Sequence, residues 1–247
     1  MPQEYQSTQS RPVALVEDSY SYVETGYRPL EAVRRDSSLP AKLFRYRVLK
    51  RGLDVTFVLL AMPVLIPLMM LVALLVRLRS PGPIFFSHRR ISRNGAFFPM
   101  WKFRTMCNNS AEVLEEYLAR HPEARAEWRK THKLKSDPRI TGIGLFLRRY
   151  SLDELPQIWN VLTGKMSLVG PRPIVAAEVE KYGSRFAYYC KVKPGVTGLW
   201  QVSGRSDLTY EQRVALDCEY VKTWSLLLDF KILLRTFASV VNQDGAC

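Results

Sequence analysis

The sequence predicts an α+β protein, mostly helical: a re-entrant membrane helix plus a small cytoplasmic domain with interfacial amphipathic helices and short strands. Three observations carry that prediction. An uncharged apolar run of 22 residues fills 55–76, two short aromatic strand patterns follow it, and helical patterns recur from 111 to 241.

Composition sets the outer bounds. The chain has 247 residues, 47% hydrophobic and 24% charged, which excludes a wholly disordered chain. The 36 Lys and Arg against 23 Asp and Glu leave a net charge of +13, so an anionic partner is expected. No zinc finger, RNP-type strand or basic zipper appears, so anionic lipid headgroups and phosphorylated substrates are the better match than nucleic acid. Cys107, Cys190, Cys218 and Cys247 form no CxxC pair, and His88, His121 and His132 have no metalloprotease spacing. Free thiols in a reducing cytosol are expected, with no zinc site and no cleaved signal peptide.

Residues 1–40 are polar, with six acids and four arginines. Few aliphatics and no sustained period predict a disordered tail. The second unit is 41–80, a basic flank and the apolar run. At 1.5 Å per residue that run makes about 33 Å of helix, the thickness of a hydrocarbon core. Pro63 and Pro67 sit near its middle, where each removes a backbone hydrogen bond. Lys42, Arg45, Arg47, Lys50 and Arg51 precede it, and Arg77, Arg79, Arg89, Arg90 and Arg93 follow. Basic flanks at both ends place both in the cytoplasm, which a helix that breaks and returns satisfies and a straight span does not. Asp54, just before the run, is expected to pair with Arg51.

The third unit is 81–247. SPGPIFF (80–86) reads as a turn and a strand, and FFPMWKFR (97–104) as a second strand. Lys102 and Arg104 alternate with aromatics and would share one face. A helix covers 111–135 with an interruption near Pro122. Residues 143–150 suit a helix at a lipid surface. Further helices are expected at 152–162, 174–182, 209–223 and 226–241, the last either interfacial or core, with Lys231, Arg235, Ser239 and Asn242 on one side.

Three stretches carry candidate chemistry. In Ser151-Leu-Asp153-Glu154-Leu-Pro156-Gln157, Ser-x-x-Glu fits a capping box, with Asp153 as the alternative cap. Equally, adjacent carboxylates beside Arg148 and Arg149 suit joint handling of Mg²⁺ and phosphate. Arg172, fixed between Pro171 and Pro173, suits a phosphate clamp or a solvated turn. The loop 193–205 carries Trp200, Gln201 and Arg205 among glycines, able to stack a base and hold phosphate, but it is no P-loop.

These residues together resemble the bacterial monotopic phosphoglycosyl transferases, the initiating sugar-phosphate transferases of polysaccharide assembly. The likeness is strongest to the short exopolysaccharide undecaprenyl-phosphate galactose phosphotransferases. It runs from Lys50 to Cys247 through KRGLD (50–54), SPGPIFF, KFRTM (102–106), DPRIT (137–141), SLDELPQIWN (151–160), MSLVGPRP (166–173) and KPGVTGLWQVSGR (193–205). Longer members add an N-terminal multi-span domain, which is not expected here.

The resemblance implies an enzyme of the bacterial inner membrane with its catalytic domain on the cytoplasmic face. Hexose-1-phosphate, galactose ahead of glucose, would pass from a UDP-sugar to undecaprenyl phosphate with release of UMP. Asp153 would be the nucleophile and Glu154 the Mg²⁺-associated acid, both near the metal. Arg148, Arg172, Arg205 and Gln201 would meet substrate, as would the basic strand of Lys102 and Arg104. Lys50, Arg51, Asp54, Pro63 and Pro67 would shape a membrane helix among inner-membrane lipid, and downstream glycan-assembly enzymes are conceivable partners. One departure is Ile66 before Pro67, where related chains often carry serine. A non-catalytic membrane scaffold, direct transfer without a covalent step, and nucleic-acid binding are the rival readings.

Overall fold

A computed structural model describes residues 44–131 and 134–241. The tail at 1–40, Lys42, His132, Asn242 and Cys247 lie outside the described residues.

The apolar run belongs to one long helix, α1 (Phe44–Arg79), of 36 residues. It is long and apolar enough to cross a membrane, and little of it is buried. The prolines do not end it: helix runs through Pro63 and Pro67. Each still removes the donor for the carbonyl four residues back, at Leu59 and Pro63, so both weak points share one face. A spacing of four governs its contact with the rest of the chain. Tyr46, Lys50, Asp54 and Val58 are buried in the first half, and Val72 and Val76 in the second. Between and around them Leu59, Leu60, Val64, Met70 and Leu71 stay exposed.

The two strand patterns form an antiparallel hairpin, β1 (Phe85–Ile91) and β2 (Phe97–Phe103), in register from Phe85 opposite Phe103 to Ile91 opposite Phe97. Asn94 and Gly95 adopt positive φ in its turn, the conformation these residues tolerate best. Two charged helices follow, α2 (Ser110–Arg120) and α3 (Pro122–Thr131), parted at the predicted proline. Then come α4 (Gly142–Arg149) and α5 (Gln157–Leu162). The helix expected at 152–162 is divided: Leu152–Glu154 is a separate 3-10 turn, and Pro156 starts α5.

A second, parallel pair joins β3 (Ser167–Val169) to β4 (Gly195–Thr197). Glycine permits it: a Cβ on Gly195 would lie 2.1 Å from the Gly170 nitrogen. The short helices α6 (Val179–Tyr182) and α7 (Phe186–Tyr189) lie between them in sequence. The chain then forms α8 (Tyr210–Thr223) and α9 (Leu226–Val241). Thr209 caps α8 reciprocally with Gln212.

The core is a set of linked clusters, and α1 enters three. Tyr46 joins Val169, Tyr220 and Ile232; Val58 joins Phe98, Met100, Val161 and Met166; Val72 and Val76 join Phe103 and Leu147. Both halves of α1, on either side of the prolines, therefore rest on the same body. Helix α9 is both core and surface: Asp229 and Ile232 are buried, while Leu227, Phe230, Leu234 and Phe237 are exposed.

Asp54 does not pair with Arg51. Its Oδ1 accepts from the Ser167 hydroxyl at 3.0 Å and the Leu168 N–H at 3.1 Å, and Lys50 Nζ lies 3.6 Å away. Lys50 also meets Asp229 Oδ2 at 2.7 Å, and Asp229 accepts from Trp224 Nε1 at 3.0 Å. Lys50 and Arg51, four and three residues before Asp54, are both within helical reach of it, and Lys50 makes the contact because Arg51 is engaged elsewhere. Arg51 instead donates to the Val161 and Leu162 carbonyls at the end of α5, where a cation suits the helix dipole.

Candidate active site

The site is built where β2, α4 and α5 converge. Thr105, just beyond β2, is the pivot. Its carbonyl accepts from the Thr141 N–H at 3.0 Å, and Thr141 caps α4 by accepting from the Gly144 N–H at 3.0 Å. A Cβ at Gly144 would sit 2.1 Å from that Thr105 carbonyl oxygen, so the approach requires glycine. At the far end of α4, Arg148 Nε donates to Thr105 Oγ1 at 2.9 Å, which fixes the arginine.

The chain then turns through Ser151, whose φ is +54°. Ser151 makes no capping hydrogen bond from its side chain, and the Glu154 side chain is committed elsewhere, so the capping-box reading does not hold. The left-handed residue swings Asp153 and Glu154 onto β2. Lys102 Nζ donates to Glu154 Oε1 at 2.7 Å and lies 3.6 Å from Asp153 Oδ2. Asn160 in α5 holds the outer edge of β2: its Oδ1 accepts from the Trp101 N–H at 3.0 Å and its Nδ2 donates to the Pro99 carbonyl at 2.8 Å.

The two carboxyls are driven apart electrostatically. Burial raises the pKa of Asp153, and Glu154 adds to that rise against the opposing pull of Lys102 and Arg148. Burial also pushes Glu154 upward, but Lys102, Arg172 and Arg90 together outweigh it and hold it below its usual range. Paired carboxyls with opposite shifts are a recurrent feature of catalytic sites.

The other predicted residues divide. Arg172 reaches the site's field, because it lowers Glu154, and its guanidinium lies over Trp200 at 5.8 Å. Gln201 and Arg205 are joined to each other, Arg205 Nε donating to the Gln201 carbonyl at 3.0 Å. Arg104 is not brought to the carboxyls. It donates to the Ser80 carbonyl at 2.6 Å, the Pro81 carbonyl at 2.8 Å and the Asn108 side chain, stapling the turn after α1. Strand alternation fails for it because β2 ends at Phe103.

Arg90 is a site residue that sequence reading missed. In the sequence it reads only as a membrane-flanking charge. On β1 it lies 3.7 Å from Glu178 Oε2 and donates to the Pro173 carbonyl at 3.3 Å. Burial and then repulsion from Arg172 lower its pKa, while Glu178 and Glu154 support its charge. Arg90, Lys102, Arg148 and Arg172 thus surround Asp153 and Glu154. With Glu178 on Arg90, the four cations still outnumber the three carboxylates, and the positive surplus suits an anion.

Comparison with known proteins gives the family. The family model for bacterial sugar transferases matches residues 45–243. The chain belongs to the bacterial sugar transferase family. It is 52% identical over 200 residues to the undecaprenyl-phosphate galactose phosphotransferase of Salmonella typhimurium, covering 81% of this chain and 42% of that protein. It is 49% identical over 197 residues to the exopolysaccharide production protein ExoY of Sinorhizobium fredii, covering 80% and 87%. Identity is 40% over 206 residues to the UDP-glucose:undecaprenyl-phosphate glucose-1-phosphate transferase of Escherichia coli, covering 80% and 41%. The match spans less than half the length of the galactose phosphotransferase and nearly all of ExoY. In this member of the family the matched region takes in every site residue above.

Proposed function

We propose that the chain transfers a hexose-1-phosphate from a UDP-sugar to undecaprenyl phosphate, releasing UMP, and so starts an exopolysaccharide or related glycan. The observation that carries the reading is the buried Asp153 beside Glu154, both on Lys102 and ringed by arginines. Galactose is favoured over glucose because the relative named for galactose is the more similar, 52% against 40%.

Asp153 is the nucleophile. A carboxylate oxygen attacks the β-phosphorus, the bond from that phosphorus to the bridging oxygen breaks, and UMP leaves with the electron pair. Arg172 and Arg90 steady the charge that gathers on the departing phosphate. A phosphate oxygen of the lipid then attacks the same phosphorus, freeing the Asp153 carboxylate. One difficult displacement becomes two easier ones. Once UMP has left, Arg172 takes the incoming lipid phosphate, while Arg148, braced by Thr105, bears on Asp153.

Mg²⁺ fits the donors present. No cluster of three or more His, Cys, Asp or Glu ligands exists among the described residues, but Mg²⁺ is commonly held by one or two carboxylates plus substrate phosphates. Glu154 and Asp153 would hold it, and it would neutralise phosphate charge.

The same reading places α1 in the inner membrane as a re-entrant helix, with the catalytic body on the cytoplasmic face. The packing of both halves of α1 on one body supports it, as do the basic residues at both ends.

The deciding experiment incubates the detergent-solubilised protein with Mg²⁺, undecaprenyl phosphate and a panel of UDP-sugars, and quantifies UMP and UDP separately. UMP with one sugar is the expected result; UDP would mean ordinary glycosyl transfer. Withholding acceptor should leave a sugar-phosphate mass on the peptide containing Asp153. Asp153→Asn should abolish both, with turnover down roughly a thousandfold or more.

A further inference from the structure

A cleft of about 210 Å³ opens between the first half of α1 and α9, remote in sequence from the catalytic residues. Leu53 and Phe57 wall one side, Leu226, Phe230 and Leu233 the other, and Leu168 and Val169 of β3 close the back. Lys50, Asp54 and Asp229 also border it, but they are buried and ion-paired with one another at 2.7 and 3.6 Å. The mouth is apolar and open: Leu53 is 36%, Phe57 41%, Leu226 40% and Phe230 50% exposed.

We infer that this cleft receives the hydrocarbon chain of the acceptor, a prenyl chain attached to a lipid monophosphate; the inference rests on the acceptor proposed above. Three arguments select that occupant. The cleft shares its wall with α1, the helix apolar enough to enter a bilayer, and with α1 inserted as proposed above it opens to hydrocarbon. A peptide is disfavoured, since its buried N–H and C=O groups would face apolar walls and polar groups already paired. The back wall, finally, leads to the site: Val169 is followed by Gly170, Pro171 and Arg172, within about 10 Å at some 3.3 Å per residue. A chain lying in the cleft thus holds its phosphate within reach of the arginine that acts on Glu154.

Two measurements test this on the full chain in nanodiscs of phosphatidylethanolamine and phosphatidylglycerol containing undecaprenyl phosphate. With p-benzoylphenylalanine in place of Phe230, ultraviolet light should give a protein adduct with the mass of undecaprenyl phosphate. An adduct of phospholipid alone, a cross-linked second copy of the chain, or no adduct would each overturn the inference. The second measurement is kinetic. Leu233→Trp, which fills the cleft, and Phe230→Ala, which strips a half-exposed wall, should each raise KM for undecaprenyl phosphate about tenfold. That is the worth of roughly two buried methylenes. KM for the UDP-sugar and for a ten-carbon prenyl phosphate should not move. Equal rises for short and long acceptors would overturn the cleft. Prenyl adducts without any UMP release would instead sink the proposed reaction and leave the cleft standing.

Discussion

Lys102 contacts both carboxyls, and its removal makes a directional prediction. Lys102 opposes the rise that burial imposes on Asp153. The nucleophile works ionised, so first-step turnover should fall with acid on a limb set by Asp153, above the ordinary aspartate range. Lys102→Met should move that limb to higher pH as well as slow the reaction; a limb that stays in place would remove Lys102 from this role. Asp217 makes a second prediction, about stability. It is buried, Tyr182 donates to its Oδ2 at 2.6 Å, and its Oδ1 has no partner. Burial pushes its pKa up to about 7. A carboxyl raised on folding contributes stability that is fully present below about pH 4 and is lost as pH rises through about 7. Asp217→Asn should therefore gain on the parent from pH 4 to pH 8, by on the order of 3–4 kcal/mol at the upper end. Parallel melting curves across that range would refute it. The sequence showed Asp153, Glu154 and Arg172 because acid pairs and proline-fixed arginines are visible as strings. It could not show Arg90, whose relevance exists only once β1 carries it to the loop at Pro173. Nor could it show that Arg104 turns away, since that depends on where β2 stops.

Among the elements, β2 and α5 stand or fall together. Asn160 supplies to the strand edge one acceptor and one donor, the pairing that a third strand would otherwise provide. Asn160→Ala leaves the Trp101 N–H and the Pro99 carbonyl without that partner. It should cost about 1–3 kcal/mol in chemical denaturation, since Asn160 is buried and the strand groups it leaves are partly shielded from water. A loss under 1 kcal/mol would show that water takes over the edge. The legibility of elements followed their dependence on distant contacts. The alternation of 97–104, the interruption at Pro122 and the helices at 143–150, 209–223 and 226–241 were readable from local pattern. β1 runs on through Ser87-His88-Arg89-Arg90, polar residues kept extended by pairing with β2. The β3–β4 pair was invisible, because three residues carry no period and its close approach rests on Gly170 and Gly195. In α1 the prolines were read as a break. Packing on both sides of them holds the helix through, with Val58 before and Val72 after.

At the scale of the whole molecule, the relation of α1 to the body yields a topology prediction. Cysteines introduced at Arg47 and Arg79 should both react with a membrane-impermeant maleimide in inverted vesicles and neither in intact spheroplasts. Labelling of one site from outside would replace the re-entrant arrangement with a through-span. The buried trio of Lys50, Asp54 and Asp229 also imposes an order in time. Lys50 and Asp54 leave the ribosome early, whereas Asp229 follows some 175 residues later. At roughly 5–20 residues per second the wait is about 9–35 s. Through that interval the cluster lacks the carboxylate that meets Lys50 at 2.7 Å, and β3, which Asp54 holds, is itself not yet made for most of it. The apolar helix can pack early on Phe98, Phe103, Leu147 and Val161, but its first turns lack the Asp229 carboxylate until α9 arrives. Synthesis of α9 is therefore what closes the buried cluster, and a chain stopped before it would leave Lys50 and Asp54 without their third member.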